Sequence, residues 1–536
     1  YRPDATEVLF HKDGKTATVD LLKHSSGTVS IHTNGKPDAS LNLAAKNAGT
    51  GDESTMTMFA IIPLALHPTA RSVANIGLGS GLSTHVILGA PNIERVDTIE
   101  IETAMIEAAH GFGARVERTF QDPRSHIYID DAKTFFAAHR SRYDIIMSEP
   151  SNPWVSGVAG LFSEEFYRRV RTHLNAGGLF VQWLQLYEID PILVASVMKA
   201  MNSNFSDYAI YFTSDGDLIV VARADGHLMS PDFQAVVNHP LLAEEMRKVD
   251  VVTAQDFNLR YLGNRALLQP LFATFDVPPN SDFFPVLDLN AVRTRFLRAD
   301  AGELFTLRTA PLPVLEMLGS TVRPVSKTQV TLNPRFALTR FVRAATQVRD
   351  VYLNGTLAPL QEATLDINLA RHVIVIQQLA RDCHDRLAPV LWLDSVFHIV
   401  STTFQNLSPQ ETELLSRRWR ASDCYARLSP NQKESLALFG AVGRRDAVPM
   451  ANIAEQILTT SVGASREQSA YVLGAGMLGY LAQKRPADAL RLWSAHQSQI
   501  QASGNPLGFM FRLLLAHSTR ANNKNQSPQT VANSGS

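Results

Sequence analysis

An α/β chain built around a parallel, Rossmann-type sheet, with a small β-hairpin unit before it and an α-helical region after it, is the fold class these 536 residues predict. Three observations predict it. From Arg71 onward short apolar runs alternate with helical stretches, the pattern of βαβ units. Gly77-Leu78-Gly79-Ser80-Gly81 falls between one such run and the helix after it. Acidic residues then recur where later runs end, at Glu100, Asp131 and Glu149.

In order along the chain, Glu7–Phe10, Ala17–Leu22 and Thr28–His32 alternate with period two between Asp13-Gly14, Ser25-Ser26-Gly27 and Asn34-Gly35, which reads as hairpins over 1–48. Residues 49–53 form a polar break before a buried helix over Met56–Leu66 that stops at His67-Pro68. Parallel strands are expected at Val73–Ile76, Val96–Ile99, His126–Ile129, Asp144–Met147 and Leu179–Trp183. Helices are expected near 81–88, 103–110, 132–139 and 164–173. An antiparallel pair, Tyr208–Phe212 and Asp217–Ala222, closes a domain spanning 49–225. Beyond it we expect a mixed closing segment over 226–327, an α-helical domain over 328–516 and a disordered tail over 517–536.

Composition narrows the function classes. Apolar residues make up 45% and charged residues 19%, an ordinary globular mixture. Fifty Lys and Arg against 51 Asp and Glu leave a net charge of −1, so no global field recruits nucleic acid. Cys383 and Cys424 can form one bridge at most, and the His384 neighbourhood lacks the second cluster a metal site needs, so no metal is expected. No apolar stretch reaches the roughly 20 residues that span a bilayer. The chain opens at Tyr1 without a basic, apolar leader, and a processed fragment is expected. Neither a Gly-x-Ser-x-Gly elbow nor a Walker loop is present.

Gly77, Gly79 and Gly81 permit a tight turn and a close backbone approach to a ligand. Their GxGxG spacing favours a mononucleoside such as S-adenosylmethionine over the pyrophosphate of NAD. Glu100 stands where an acceptor holds a ribose diol, and Asp131 where a carboxylate or amide meets adenine. Alternatively, Glu100 and Asp131 merely cap the helices that follow them. Trp154, Trp183 and Tyr187 either wall a substrate pocket or belong to the core.

The run Tyr143-Asp144-Ile145-Ile146-Met147-Ser148-Glu149-Pro150-Ser151-Asn152-Pro153, with Leu161-Phe162-Ser163-Glu164-Glu165-Phe166-Tyr167 and Leu174-Asn175-Ala176-Gly177-Gly178, resembles the spermidine synthase family of polyamine aminopropyltransferases. The resemblance runs from about Val8 to Ala222 and is closest to the bacterial branch fused to a membrane-embedded, transporter-like segment. It implies a class I S-adenosylmethionine-dependent methyltransferase-like fold, and a cytoplasmic location as the soluble part of a membrane-anchored protein. It also implies that Glu100 binds the ribose, Asp131 the adenine end and the glycine loop the donor's backbone. The 148–153 loop becomes a gate between donor and acceptor amine. Asp38 takes the place of a family glutamine near the donor, or serves as a turn residue.

Three features depart from the family. Its loop carries two aspartates, here Glu149 and Asn152, and an amide cannot accept the proton an attacking amine must lose. A Tyr-Gln pair is replaced by Thr55-Met56, and the aspartate inside the glycine loop by Ser80, which suits the carboxylate of ordinary S-adenosylmethionine. The expectation is a transferase that uses S-adenosylmethionine or its decarboxylated form as donor to an amine or other nucleophile, with Glu149 as base and an altered acceptor site. A methyltransferase and a noncatalytic regulatory module are the alternatives, and self-association stays open.

Overall fold

The computed structural model describes residues 6–44, 49–155, 157–319, 330–333, 336–358, 366–460, 465–500 and 507–526. Their contacts divide the chain into two units. The first comprises residues 1–265, 275–302 and 333–336, and the second 266–274, 303–332 and 337–536. The expected closing segment, 226–327, is therefore shared between them.

The first unit opens with four antiparallel strands in sequential order, β1 (Thr6–Asp13), β2 (Thr18–His24), β3 (Thr28–Thr33) and β4 (Lys36–Asn42). The first three match the expected hairpins; β4 was not foreseen. It carries Pro37 and shows little apolar alternation, as an edge strand allows. Asn34 and Gly35 both have positive φ, 51° and 77°, which suits a two-residue hairpin turn and starts β4 at Lys36.

The expected polar break at 49–53 is instead the start of a helix, α1 (Gly51–Leu66). Thr50 accepts from the Glu53 amide while Glu53 accepts from the Thr50 amide, a capping box. Glu53 also accepts from the Asn42 amide at 3.0 Å, tying β4 to the helix. Its residues from Glu53 to Leu66 are buried on every face, so no amphipathic stripe marks it. Phe59, Ile61 and Ile62 are wholly enclosed in a core shared with both sheets, each contributing about 1.5–3 kcal/mol.

The main sheet has eight strands: β5 (Ser72–Ile76), β6 (Arg95–Glu100), β7 (Ser125–Ile129), β8 (Tyr143–Ser148), β9 (Leu174–Gln185), β10 (Asp207–Phe212), β11 (Asp217–Arg223) and β12 (Tyr261–Asn264). Their order is β12-β10-β11-β9-β8-β5-β6-β7. Strands β5 to β9 run parallel, and β10 to β12 pair antiparallel. The connections diverge on either side of β5, which opens a crevice at its carboxyl end. Helices α2 (Leu82–Ile87), α3 (Thr103–Ala109) and α4 (Ala132–Ala138) follow β5, β6 and β7 as expected. A helix over Pro191–Asn204 and strand β12 were not foreseen. The former is announced by its cap, Asp190, and by Pro191 in its first turn.

The second unit is helical, its helices including Ala388–Thr403, Pro409–Arg420, Pro430–Arg444, Ala447–Thr460 and Arg466–Ala482. Cys383 and Cys424 form a disulfide. The helix Phe509–Gln526 covers the first ten residues of the expected tail, and 527–536 lie outside the described residues. Among the described residues, no helix is long and apolar enough to cross a membrane.

Candidate functional site

The carboxyl ends of β5, β6, β7 and β8 open into a cavity of about 330 Å³, closed on its far side by residues of β4 and α1. Gly77, Gly79, Glu100, Asp131, Glu149, Asn152, Asp38, Trp183 and Tyr187 all line it. The fold thus gathers nine of the twelve expected site residues. Ser80, Gly81 and Trp154 are not among the lining residues.

At one end lie the glycine loop and Glu100. Gly77 has φ 90°, and a Cβ there would stand 2.5 Å from the Glu149 carbonyl oxygen, so only glycine lets β5 and β8 deliver their loops side by side. Gly79 has φ 52° and faces open space. The buried Glu100 carboxylate accepts from the Leu78 amide at 2.8 Å and the Glu102 amide at 2.9 Å. Burial raises its pKa against those amides. Asp131 caps α4, accepting from the Thr134 amide at 2.9 Å, while still lining the cavity.

Ser80 turns the other way. It is fully buried and its hydroxyl donates to the sulfur of Met56, which itself lines the cavity, at 3.1 Å. Gly81 packs against Thr119, whose hydroxyl donates to its carbonyl at 2.6 Å. Trp154 follows the 148–153 loop, with the Lys36 ammonium 5.4 Å and the Arg295 guanidinium 5.2 Å from its ring centroid.

The other end is acidic. Glu149 is enclosed, accepts from the Ser83 hydroxyl at 2.6 Å, and is pushed up to about 8 by burial and by Asp217 and Asp52. It therefore holds its proton at neutral pH, which argues against the base role expected for it. Asp52, in the first turn of α1, accepts from the Ser40 hydroxyl at 2.6 Å, and burial raises it to about 6. Asp217, on β11, accepts from Thr55 at 3.0 Å, Ser214 at 2.8 Å and the Trp183 indole at 3.2 Å, and burial raises it as well. Thr55, expected only as a lost amine contact, thus positions an acid.

Asn152 accepts from the Lys36 ammonium and offers its amide to the Tyr187 hydroxyl at 3.5 Å. Asp38 accepts from Ser151 at 3.0 Å and lies 3.5 Å from Lys36. Sequence reasoning missed Lys36, Asp52 and Asp217. The capping pattern Thr50-x-x-Glu53 was the one local signal that could have placed Asp52 on a helix start.

Residues 53–214 match the spermine/spermidine synthase domain. The fold is accordingly that of the spermidine synthases, a class I methyltransferase-like Rossmann domain preceded by an antiparallel sheet and followed here by a helical region. Among curated proteins, the chain is 31% identical over 150 residues to a polyamine aminopropyltransferase of Caldicellulosiruptor bescii, covering 28% of this chain and 54% of that protein. Over 198 residues it is 29% identical to polyamine aminopropyltransferase 1 of Pseudomonas aeruginosa, covering 35% and 69%. The chain spans about half the length of the first curated relatives it matches. A solved spermidine synthase from Thermotoga maritima aligns with a TM-score of 0.37 at 20% identity, covering 44% of this chain and 78% of that one. Among the described residues, no group of three or more His, Cys, Asp or Glu is placed to hold a metal ion.

Proposed function

We propose that the spermidine synthase-type domain transfers the propylamine arm of an adenosyl sulfonium donor, decarboxylated S-adenosylmethionine, to an amine. The observation that carries the reading is a single cavity with an amide-braced Glu100 at the glycine loop and three buried acids, Asp52, Glu149 and Asp217, at the other end. The first suits a nucleoside diol and the second attracts a sulfonium and an amine. The acceptor nitrogen attacks the carbon beside sulfur, the C–N bond forms as the C–S bond breaks, and the electron pair leaves on a neutral thioether. The departing amine proton passes to a carboxylate. We assign that role to Asp52, because a base works best with a pKa near the working pH and Glu149 is already protonated there.

Incubation with decarboxylated or ordinary S-adenosylmethionine and an amine, followed by mass spectrometry, tests this. Methylthioadenosine reports propyl transfer and S-adenosylhomocysteine methyl transfer. Donor binding with neither product would leave a noncatalytic binding module. A membrane-embedded segment upstream belongs to the proposal on the strength of the resemblance alone, and fractionation of the full-length protein tests it.

A further inference from the structure

Beside the buried acids the cavity is lined by a mostly buried cation, Lys36. Lys36 starts β4 because the Asn34-Gly35 turn reverses the chain there, and its side chain is 16% exposed. Its ammonium meets the Asn152 side-chain oxygen, lies 3.5 Å from Asp38 and stands over the Trp154 ring. The other lysine lining the cavity, Lys133, is paired with Asp282 at 2.9 Å. Lys36 is close enough to Asp52 and Asp217 to favour their charged forms.

We infer that the acceptor is a zwitterion, an amine that also bears a carboxylate, with its carboxylate held by Lys36 and its amine turned to the acids Asp52 and Asp217. This rests on the transferase reading above and names the substrate class of the same site. A linear diamine would bring a second ammonium against Lys36, where like charges repel in a poorly solvated setting. A carboxylate there forms a charge-assisted hydrogen bond instead. Among the described residues the Lys36 ammonium has one carboxylate within ion-pair distance, Asp38 at 3.5 Å, and the neutral Asn152 adds no second one. A site built to pair with a polar group discriminates strongly against the analogue that lacks it. The bond changes are those of the parent reaction: the acceptor nitrogen takes the propyl carbon, the thioether leaves, and the proton goes to Asp52.

Two probes differ only in the carboxylate, ornithine and 1,4-diaminobutane. Each is titrated calorimetrically into protein saturated with methylthioadenosine, for the parent chain and for Lys36→Met. The expected result is that the parent binds ornithine at least about tenfold more tightly. Lys36→Met erases or reverses that preference while methylthioadenosine affinity moves less than about twofold. Equal affinities, preference for the diamine, binding of neither, or an equal loss of both in Lys36→Met would overturn the inference, the last by showing that Lys36 only balances the acids. Failure of the parent to bind methylthioadenosine would instead break the nucleoside-site reading beneath it.

Discussion

At the glycine-loop end of the cavity a side chain is held by backbone: Glu100 accepts from the amides of Leu78 and Glu102, on loops that the parallel strands deliver. Among the buried acids side chains hold one another. Asp217 rests on Thr55, Ser214 and Trp183, Asp52 on Ser40, Glu149 on Ser83, and Asn152 on Lys36. A backbone-braced site keeps its geometry whatever side chains surround it, whereas a charge cluster changes character with each substitution. The same fold can therefore keep one ligand half and alter the other.

The sharpest way to break this comparison is Asp52→Asn. It should lower kcat by about 10²–10⁴-fold while leaving methylthioadenosine affinity within about twofold. An unchanged kcat would move the base elsewhere. Next in size, Glu100→Ala should weaken methylthioadenosine binding roughly 10- to 150-fold, the cost of losing hydrogen bonds to a charged group, in protein whose circular dichroism is unaltered. Unchanged affinity would remove Glu100 from the nucleoside site.

A smaller effect follows from Glu149. Its carboxyl is protonated below about 8, so raising the pH through that value ionises it and strengthens attraction to a sulfonium. Donor affinity should rise by up to about tenfold between pH 7 and 9 in the parent and stay flat in Glu149→Gln; the uncharged thioether should show no such rise. The smallest change is expected from Asn152→Asp, under about threefold in kcat, because the new carboxylate would pair with Lys36 rather than take the amine's proton. A large gain in propyl transfer would instead restore the family's base to this position.

Legibility in the sequence followed the same divide. The glycine loop, Glu100, Asp131 and Glu149 each sit at the end of an apolar run, so strand periodicity alone places them at one edge of a sheet. Lys36 and Asp38 lie on β4, an edge strand whose Pro37 and polar residues give no alternation. Asp52 was hidden in a polar stretch that reads as a break until Thr50 and Glu53 are seen to cap a helix. Ser80 shows the converse: its position in the loop suggested a place on the cavity wall, but its side chain is buried against Met56.

The sequence by itself determined the parallel sheet, its strand ends and the glycine-loop half of the cavity, because those depend on period, glycine spacing and local turns. Only the tertiary structure decided the acidic half, because Lys36, Asp52, Glu149 and Asp217 come from four separated segments and acquire their protonation states from burial and from one another.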